Sequence, residues 1–411
     1  MAAHAHDVVV KEHSDPSTGF LPGKRHTFQG SIKGTLKGLC FAAKDNMDVL
    51  GAVTGAGNPY WSKLRSQAEY HAPIVERLLA GGANLAGKTI QEELAFSVIG
   101  NNPHFPTLEN PVSSGHFVGG SSSGSAAVVA NRQVDFALGT DTAGSVRVPA
   151  SNCGLCGIRP SHGVLSAEGI VPLAPSFDVP GWMAANAGVL ARVGNVLLAD
   201  LPEMELGTGA LINPAWASLP KDVATLYQKA LARLPLDRLR MRLDFPNWQW
   251  SLDEAAEAFR VLQAKEVWAL FGEWAMKTQS HELSQDIKDR VVAGRMLGSR
   301  DLSAARLLRS RVCHDLNAAL DESGLLVMPT VARPPVSLVA CTEQLAAYRR
   351  SIIRLTCLTS LTGLPEVTIP LIKSKGFHWG LSVIGPRRSD RSLLSLAEKF
   401  ACGRDVDNRL V

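Results

Sequence analysis

The stretch that most constrains the fold is residues 119–157, GGSSSGSAAVVANRQVDFALGTDTAGSVRVPASNCGLCG. Serines in a glycine frame are followed by small residues that predict a helix over 123–131, and then by an apolar run that predicts a strand over 134–138. A second glycine-flanked serine, Ser145, lies in the turn that follows. Because a helix and a strand fit between them, Ser121 and Ser145 are expected to return to the same end of one sheet.

The rest of the chain also alternates helices with short apolar strands, which is typical of the α/β class. The 411 residues contain no linker-like segment, so we expect a single large domain covering 1–411. Within it, residues 1–30 are expected to form a surface N-terminal arm and residues 35–195 the core. Residues 200–320 are expected to form a mainly helical insertion that shapes the substrate pocket, and residues 323–400 to complete the sheet.

Composition and charge argue against several classes of protein. With 45% hydrophobic and 19% charged residues, the chain has the composition of a globular protein with a sizeable core. The net charge of +4 is small and the basic residues are scattered, so we expect no nucleic-acid interface. No apolar run reaches the roughly 18 residues of a transmembrane helix. An odd number of cysteines, seven, without a secretory signal pattern predicts a reducing, cytoplasmic environment.

Two cysteines, Cys153 and Cys156, form a C-x-x-C pair. Such a pair is typical of a redox site or of half a zinc site. The sequence contains no second C-x-x-C and no H-x₃-H partner. We therefore expect buried structural thiols and no metal site.

Lys44 follows the apolar run 36–43, which predicts a buried strand that delivers a charged side chain at its end. Burial disfavours the ammonium form and lowers the pKa of a lysine, and a neutral amine is a competent general base. The alternative is a surface lysine paired with Asp45 or Asp48. The residues themselves leave both interpretations open.

The serine cluster at 121–123 also has several interpretations. A glycine-rich turn before a helix can bind phosphate, and a serine can cap the helix. The P-loop lysine is missing, and no strand precedes Ser122 to make the G-x-S-x-G nucleophile elbow of α/β-hydrolases. The turn at 141–145 is more specific, because small residues before Ser145 can aim successive backbone N–H groups at one point, as an oxyanion hole requires.

Several segments together carry a resemblance to a known family: FAAKDN around Lys44, GGSSSGSAA at 119–127, LGTDTAGSVRVPAS at 138–151, CGLCGIRPSHG at 153–163 and GIVPLAPSFDVPGW at 169–182. They resemble the amidase signature family, strongly over 35–195 and more loosely over 323–400. The run of three serines at 121–123 and the RPSHG segment at 159–163 are most similar to the plant-type indole-3-acetamide hydrolases. The resemblance implies an α/β/α sandwich around a central mixed β-sheet.

The resemblance also implies a catalytic triad. Ser145 is implied as the nucleophile, Ser121 as a bridging serine preceded by a cis peptide bond, and Lys44 as the base. Neutral Lys44 is expected to draw a proton through Ser121 as Ser145 attacks the amide carbon. Backbone N–H groups of the adjoining turn are expected to hold the substrate oxygen, namely those of Thr142, Ala143, Gly144 and Ser145.

Other residues near the triad have expected supporting roles. Ser122 is expected either to donate a hydrogen bond within the triad or to cap the helix, and Asp141 and Arg147 are expected to pair beneath the turn. Ala143 and Ser123 stand where many relatives have glycine. A positive φ at Ala143 would therefore be costly.

The implied reaction is hydrolysis of a small carboxamide, an arylacetamide such as indole-3-acetamide, to carboxylic acid and ammonia through a serine acyl-enzyme. No metal or organic cofactor is implied.

The alternatives are the glutamine-hydrolysing component of an amidotransferase and a non-catalytic amidase-like binding protein, and the presence of Lys44, Ser121 and Ser145 favours catalysis. The expected partner is the amide substrate, without nucleic acid or membrane. The sequence does not indicate the oligomeric state, and a homodimer is only one option. Aromatic pocket candidates, each with core or surface packing as the alternative, are Trp248, Trp250, Trp268 and Trp274.

Overall fold

The structure, a computed structural model, describes residues 8–13, 18–231 and 248–402. Its strands, in chain order, are β1 Val8–His13, β2 Gly23–Phe28, β3 Cys40–Lys44, β4 Asn84–Thr89, β5 Phe136–Asp141, β6 Cys156–Arg159, β7 Val179–Ala184, β8 Gly209–Leu211, β9 Leu325–Pro329, β10 Glu366–Ser374 and β11 Phe377–Ile384. They form an 11-stranded sheet in the order β1-β2-β4-β3-β5-β7-β6-β10-β11-β9-β8. The sheet is mixed, because β3 runs parallel to β4 and β5 whereas β5 and β7 are antiparallel.

The helices, in chain order, are α1 Pro59–Ser62, α2 Pro73–Ala80, α3 Ser123–Ala130, α4 Arg147–Asn152, α5 Ala187–Leu197, α6 Asn213–Ala217, α7 Lys221–Leu231, α8 Leu252–Lys277, α9 Gln285–Ala293, α10 Ser299–Ser323, α11 Thr342–Thr362 and α12 Asp390–Cys402. Short 3₁₀ turns occur at Glu93–Ala95 and Gly294–Met296. Among these described helices, none combines the length and apolar character needed to cross a bilayer.

Helices cover both faces of the sheet. Side chains of a strand point alternately to opposite faces. In β3, Phe41 and Ala43 belong to the apolar cluster that contains residues of α2, α5 and α12, whereas Ala42 packs in the cluster that contains α3. Ala137 of β5 joins Ala42 in the second cluster. The predicted α/β fold with a central mixed sheet is confirmed.

The strands that carry the candidate site lie at the centre of this sheet. β3 pairs in parallel with β4 on one side and β5 on the other, and the pairs Phe41–Phe136 and Ala42–Ala137 set its register with β5. The strand begins later than the predicted run 36–43 and ends on Lys44 itself. Parallel register brings the carboxyl ends of β3 and β5 to the same edge of the sheet.

The N-terminal region contributes more than the predicted surface arm over 1–30. β1 and β2 pair antiparallel, and Phe28 at the end of β2 pairs with Leu85 of β4. Phe28 is buried. The sequence of β2, GKRHTF, conceals the strand because most of its residues are polar and only Phe28 at its end is buried. Residues 1–7 and 14–17 of the predicted arm lie outside the described residues.

The segment predicted to be mainly helical, 200–320, contains α6 to α10 but also one strand. β8 pairs in parallel with β9, through Ala210 and Leu326, at the far edge of the sheet from β1. Residues 232–247 of this segment lie outside the described residues. The long helices α8 and α10 pack against each other, and α8 also contacts α11.

Candidate active site

Lys44, the last residue of β3, lies in the core with no solvent exposure. Its Nζ donates hydrogen bonds to Ser121 Oγ at 2.8 Å and to Thr140 Oγ1 at 2.9 Å. Burial lowers the pKa of Lys44 to about 7, and nearby carboxylates, led by that of Asp141, only partly oppose this shift. A substantial fraction of Lys44 is therefore neutral near pH 7 and able to accept a proton.

The alternative of a surface lysine paired with a neighbouring aspartate does not match the structure. Asp45 forms its ion pair with Lys88, at 3.1 Å, and Asp48 accepts a hydrogen bond from Thr54 at 2.6 Å. Lys44 is instead positioned by hydroxyl groups on two other elements of the fold.

Ser121 lies two residues before the start of α3 and is fully buried. The peptide bond between Gly120 and Ser121 is cis. The Ser121 carbonyl accepts a hydrogen bond from the backbone N–H of Glu92 at 3.0 Å. Both the side chain and the backbone of Ser121 are thus held by residues distant in the sequence.

Ser145 lies in the turn between β5 and α4 and is 2% exposed. It borders a cavity of about 30 Å³ whose wall also includes Thr142 and Ala143. Its carbonyl accepts a hydrogen bond from Ser122 N–H at 3.3 Å, which joins the two serine segments. Within the described part of the chain, the Ser145 hydroxyl makes no hydrogen bond, so the structure brings Lys44 to Ser121 without a direct bond from Ser121 to Ser145.

A buried ion-pair network shapes the turn before Ser145. Asp141 Oδ1 and Arg147 Nη2 are 2.7 Å apart, and Arg147 Nη1 lies 2.5 Å from Glu366 Oε2 in β10. Burial by itself opposes ionisation of Asp141, but the charge and hydrogen bonds of Arg147, helped by Arg159, outweigh it and hold the pKa of Asp141 below its ordinary value. Asp141 is therefore ionised and, with Arg147, anchors the turn from below.

The backbone N–H groups of the turn differ in what they can bind. Those of Thr142, Ala143 and Ser145 donate to no atom of the described residues, and all three residues border the cavity. Gly144, predicted as an oxyanion donor, instead directs its N–H to Asp141 Oδ1 at 2.8 Å. This corrects the prediction for Gly144: its N–H is used to close the turn, and its φ of +110° is the conformation that glycine tolerates.

The two substituted glycine positions raise no conformational difficulty. Ala143 is not among the residues with a positive φ, and its carbonyl accepts a hydrogen bond from Thr356 of α11 at 2.6 Å. Ser123 is the buried first residue of α3. Ser122 precedes the helix but its side chain makes no capping bond, and its hydroxyl instead points to the Thr140 carbonyl at 3.5 Å.

The C-x-x-C pair lies in the core behind the site. Cys153 is 2% exposed, and its burial raises the pKa of the thiol. Cys156 is a buried residue of β6. Among the described residues no three His, Cys, Asp or Glu side chains are grouped as a metal ion would require.

Residues that were not identified from the sequence complete the wall of the cavity beside Ser145. They come from three helices, α8, α9 and α11: Gln263, Arg290, Arg349 and Ile353. No catalytic pattern surrounds them in the sequence, and a buried glutamine on an apolar helix face was the one available signal.

The tryptophans proposed for the pocket pack elsewhere. Trp248 stacks on Trp250, with ring centroids 4.7 Å apart, and Trp250 donates to Asp315 at 2.8 Å. Trp268 and Trp274 belong to an apolar cluster around α8 and α9. The four residues therefore take the packing role that was the stated alternative.

A second cavity, of about 320 Å³, lies on the other side of Thr142. It shares Thr142 and Leu173 with the smaller cavity and reaches Asn46 and Thr140, next to Lys44. Asn46 Nδ2 donates to Thr140 Oγ1 at 3.1 Å, so the same hydroxyl receives bonds from both side chains. Most of the remaining wall is apolar, contributed by residues 165–180.

The chain is similar to known proteins over most of its length. The sequence model of the family described as Amidase matches residues 22–394. Amidase 1 of Arabidopsis thaliana is 36% identical over 405 residues, covering 91% of this chain and 95% of that protein. The chloroplastic outer envelope protein 64 of Arabidopsis thaliana is 31% identical over 88% of this chain and 66% of its own length. A crystal structure of an amidase superposes with a TM-score of 0.78 at 29% identity, covering 90% of this chain and 85% of the other. The chain thus belongs to the amidase family and is a hydrolase that acts on amide bonds.

Proposed function

We propose that Ser145 is the nucleophile of this amidase and that Ser121 and Lys44 form its proton relay. The observation that carries the proposal is the 2.8 Å hydrogen bond from Lys44 Nζ to Ser121 Oγ, made by a buried amine whose pKa is lowered to about 7. Ser121 accepts the proton of the attacking Ser145 hydroxyl and passes its own proton to neutral Lys44.

In the remaining steps the turn stabilises the substrate oxygen, and the relay carries the proton in the opposite direction. The N–H groups of Thr142, Ala143 and Ser145 stabilise the negative charge that develops on the substrate oxygen. The relay then returns the proton to the departing nitrogen, which leaves as ammonia while the acyl group stays on Ser145. Water, activated by the relay, attacks the acyl-enzyme and releases the carboxylic acid.

We propose small carboxamides as the substrates, and among them arylacetamides such as indole-3-acetamide. The resemblance to plant-type hydrolases and the 36% identity to Amidase 1 support testing them first. The apolar cavity of about 320 Å³ is comparable with ordinary ligand pockets of roughly 300–1,000 Å³ and offers room for an aryl group close to Thr142.

The test measures ammonia release from indole-3-acetamide, phenylacetamide, short aliphatic amides and glutamine. We expect Ser145→Ala to lower the rate on every accepted amide by about four orders of magnitude, since it removes the nucleophile. Ser310→Ala, an exposed serine on α10, is the matched control and should keep full activity. An unimpaired Ser145→Ala enzyme with an unchanged melting temperature would disprove the assignment.

A further inference from the structure

The cavity beside Ser145 has a cationic, hydrogen-bonding wall that the proposed mechanism does not use. Arg290 of α9 and Arg349 of α11 line it together with Gln263 of α8. Both guanidinium groups keep some solvent access, with side-chain exposures of 22% and 21%. Two arginines at the entrance of a small cavity require a structural partner, a ligand or both.

The Arg290 side chain is already hydrogen-bonded within the protein. Its Nη2 forms an ion pair with the Asp286 carboxylate one helical turn earlier, and its Nε donates to the Asp286 carbonyl at 3.2 Å. Its Nη1 donates to the Phe96 carbonyl. All three nitrogens of Arg290 therefore have acceptors, so this side chain serves mainly as a fixed positive charge.

Arg349 and Gln263 have unused hydrogen-bonding capacity. Arg349 makes one contact, from Nη2 to Asp286 Oδ2 at 3.3 Å, and its Nε is buried without an acceptor among the described residues. Gln263 is 7% exposed, and its amide forms no hydrogen bond with any described residue. Because the two side chains come from different helices and border the same cavity, their donors converge on one space.

The local charges leave this wall positive. Asp286 is shared by Arg290 and Arg349, so one carboxylate faces two guanidinium groups. Glu92 lies nearby and is buried beside Gly120. Burial raises the pKa of Glu92, although the two arginines oppose the shift. In direct contacts, therefore, the two guanidinium groups share a single carboxylate, and a carboxylate on a ligand would give Arg349 a partner of its own.

We propose that Arg349 and Gln263 form a subsite for a carboxylate on the acyl group of the substrate. A guanidinium binds a carboxylate through two parallel hydrogen bonds, and the glutamine amide adds a third donor. The preferred amides are then monoamides of dicarboxylic acids and arylacetamides with a carboxylate on the ring. This inference rests on the proposed hydrolysis at Ser145 and narrows its substrate class.

The test compares substrates that differ only in the carboxylate. Succinamic acid is paired with butanamide, and ring-carboxylated phenylacetamides are paired with phenylacetamide. We expect kcat/KM to be about ten- to a hundredfold higher for the charged member of at least one pair, mainly through a lower KM, as hydrogen bonds to a charged group permit. Arg349→Gln should collapse this ratio, whereas Arg350→Gln, an exposed arginine on the same helix, should preserve it.

Gln263→Leu provides a second measurement should Arg349→Gln fail to fold, and it should also reduce the ratio. The inference is overturned if the neutral amides are preferred, or if the ratio survives in folded Arg349→Gln or Gln263→Leu protein. In those cases Ser145-dependent hydrolysis of neutral amides would still uphold the proposed function. An enzyme that releases ammonia from none of these amides would instead overturn both.

Discussion

Lys44 and Ser121 are joined by a 2.8 Å hydrogen bond between Nζ and Oγ, in a part of the core where neither side chain touches solvent. The residues are far apart in the sequence, and the fold brings them together through the end of β3 and the start of α3. This contact makes the protonation state of a single amine the variable that controls the proposed relay.

Activity should therefore rise with pH through about 7, where Lys44 loses its proton. Below that pH the ammonium form cannot accept a proton, so we expect kcat/KM for a neutral amide to fall about tenfold per pH unit. The measurement is a pH–rate profile between pH 5.5 and 8.5 on an uncharged substrate. A flat profile, or full activity in Lys44→Arg, would contradict the role of a neutral base.

The same pKa has a signature in stability. The folded value of about 7 lies below the ordinary 10.5, so between these values the unfolded chain binds a proton that the folded protein has released. The free energy of unfolding contributed by this group therefore increases with pH across that window. Relative to Lys44→Met, the wild-type protein should gain stability between pH 6.5 and 9 in urea unfolding.

Arg147→Met should destabilise the protein strongly. The substitution leaves the carboxylates of Asp141 and Glu366 buried without their guanidinium partner, at a cost of about 3–5 kcal/mol at neutral pH. Arg147 holds the pKa of Asp141 below the ordinary 3.8, so in the wild type this stabilisation is fully present above pH 3.8 and is lost only below it. In the variant, burial without the guanidinium raises the pKa of the two carboxyl groups, so they bind protons as the pH falls towards 4 and the cost is relieved. Urea unfolding at pH 7 and pH 4 tests this, and the deficit should shrink at the lower pH.

The control for that experiment is Lys277→Met, which removes an exposed ion pair with Glu273. It should change stability little, because exposed pairs are screened by solvent. Equal losses from both substitutions would show that the buried network does not have the importance assigned to it.

In the nucleophile turn, the protein should tolerate Ala143→Gly but not Gly144→Ala. Gly144 has a φ of +110°, and a Cβ there would come within 2.9 Å of Thr356 Cγ2. Gly144→Ala should therefore lower stability by about 1–3 kcal/mol and reduce kcat. Ala143 has no positive φ, so Ala143→Gly should keep activity within about threefold of the wild type. Thermal unfolding and ammonia release measure both, and the reverse order of effects would refute this account.

Local patterns identified Lys44 and the two serine segments as candidates, but their catalytic roles, and the choice of Ser121 among three adjacent serines, came from the resemblance to the amidase signature family. The spacing of glycine, serine and apolar residues that marks these candidates lies within short stretches of the sequence. The α/β class followed from the same alternation, whereas β1 and β2 were missed. β1 offers only three valines before its charged residues, and β2 is mostly polar.

Features that depend on distant parts of the chain were not predictable in this way. The N–H of Gly144 was assigned to the substrate, but the position of the Asp141 carboxylate depends on Arg147 and its partner in β10. Arg349 and Gln263 reach the cavity only because α8 and α11 pack together. No short pattern encodes such an encounter.

The network around Asp141 also has a consequence for how the enzyme is made. Arg147 connects the nucleophile turn to Thr359 of α11 and to Glu366 of β10, both of which are synthesised after Ser145. A ribosome-bound chain that has reached only β9 already contains Lys44, Ser121 and Ser145, yet it lacks the carboxylate and hydroxyl that hold Arg147 in place. Hydrolytic competence should therefore arise only once β10 has been synthesised and paired in the sheet, because the nucleophile turn lacks this anchor until then.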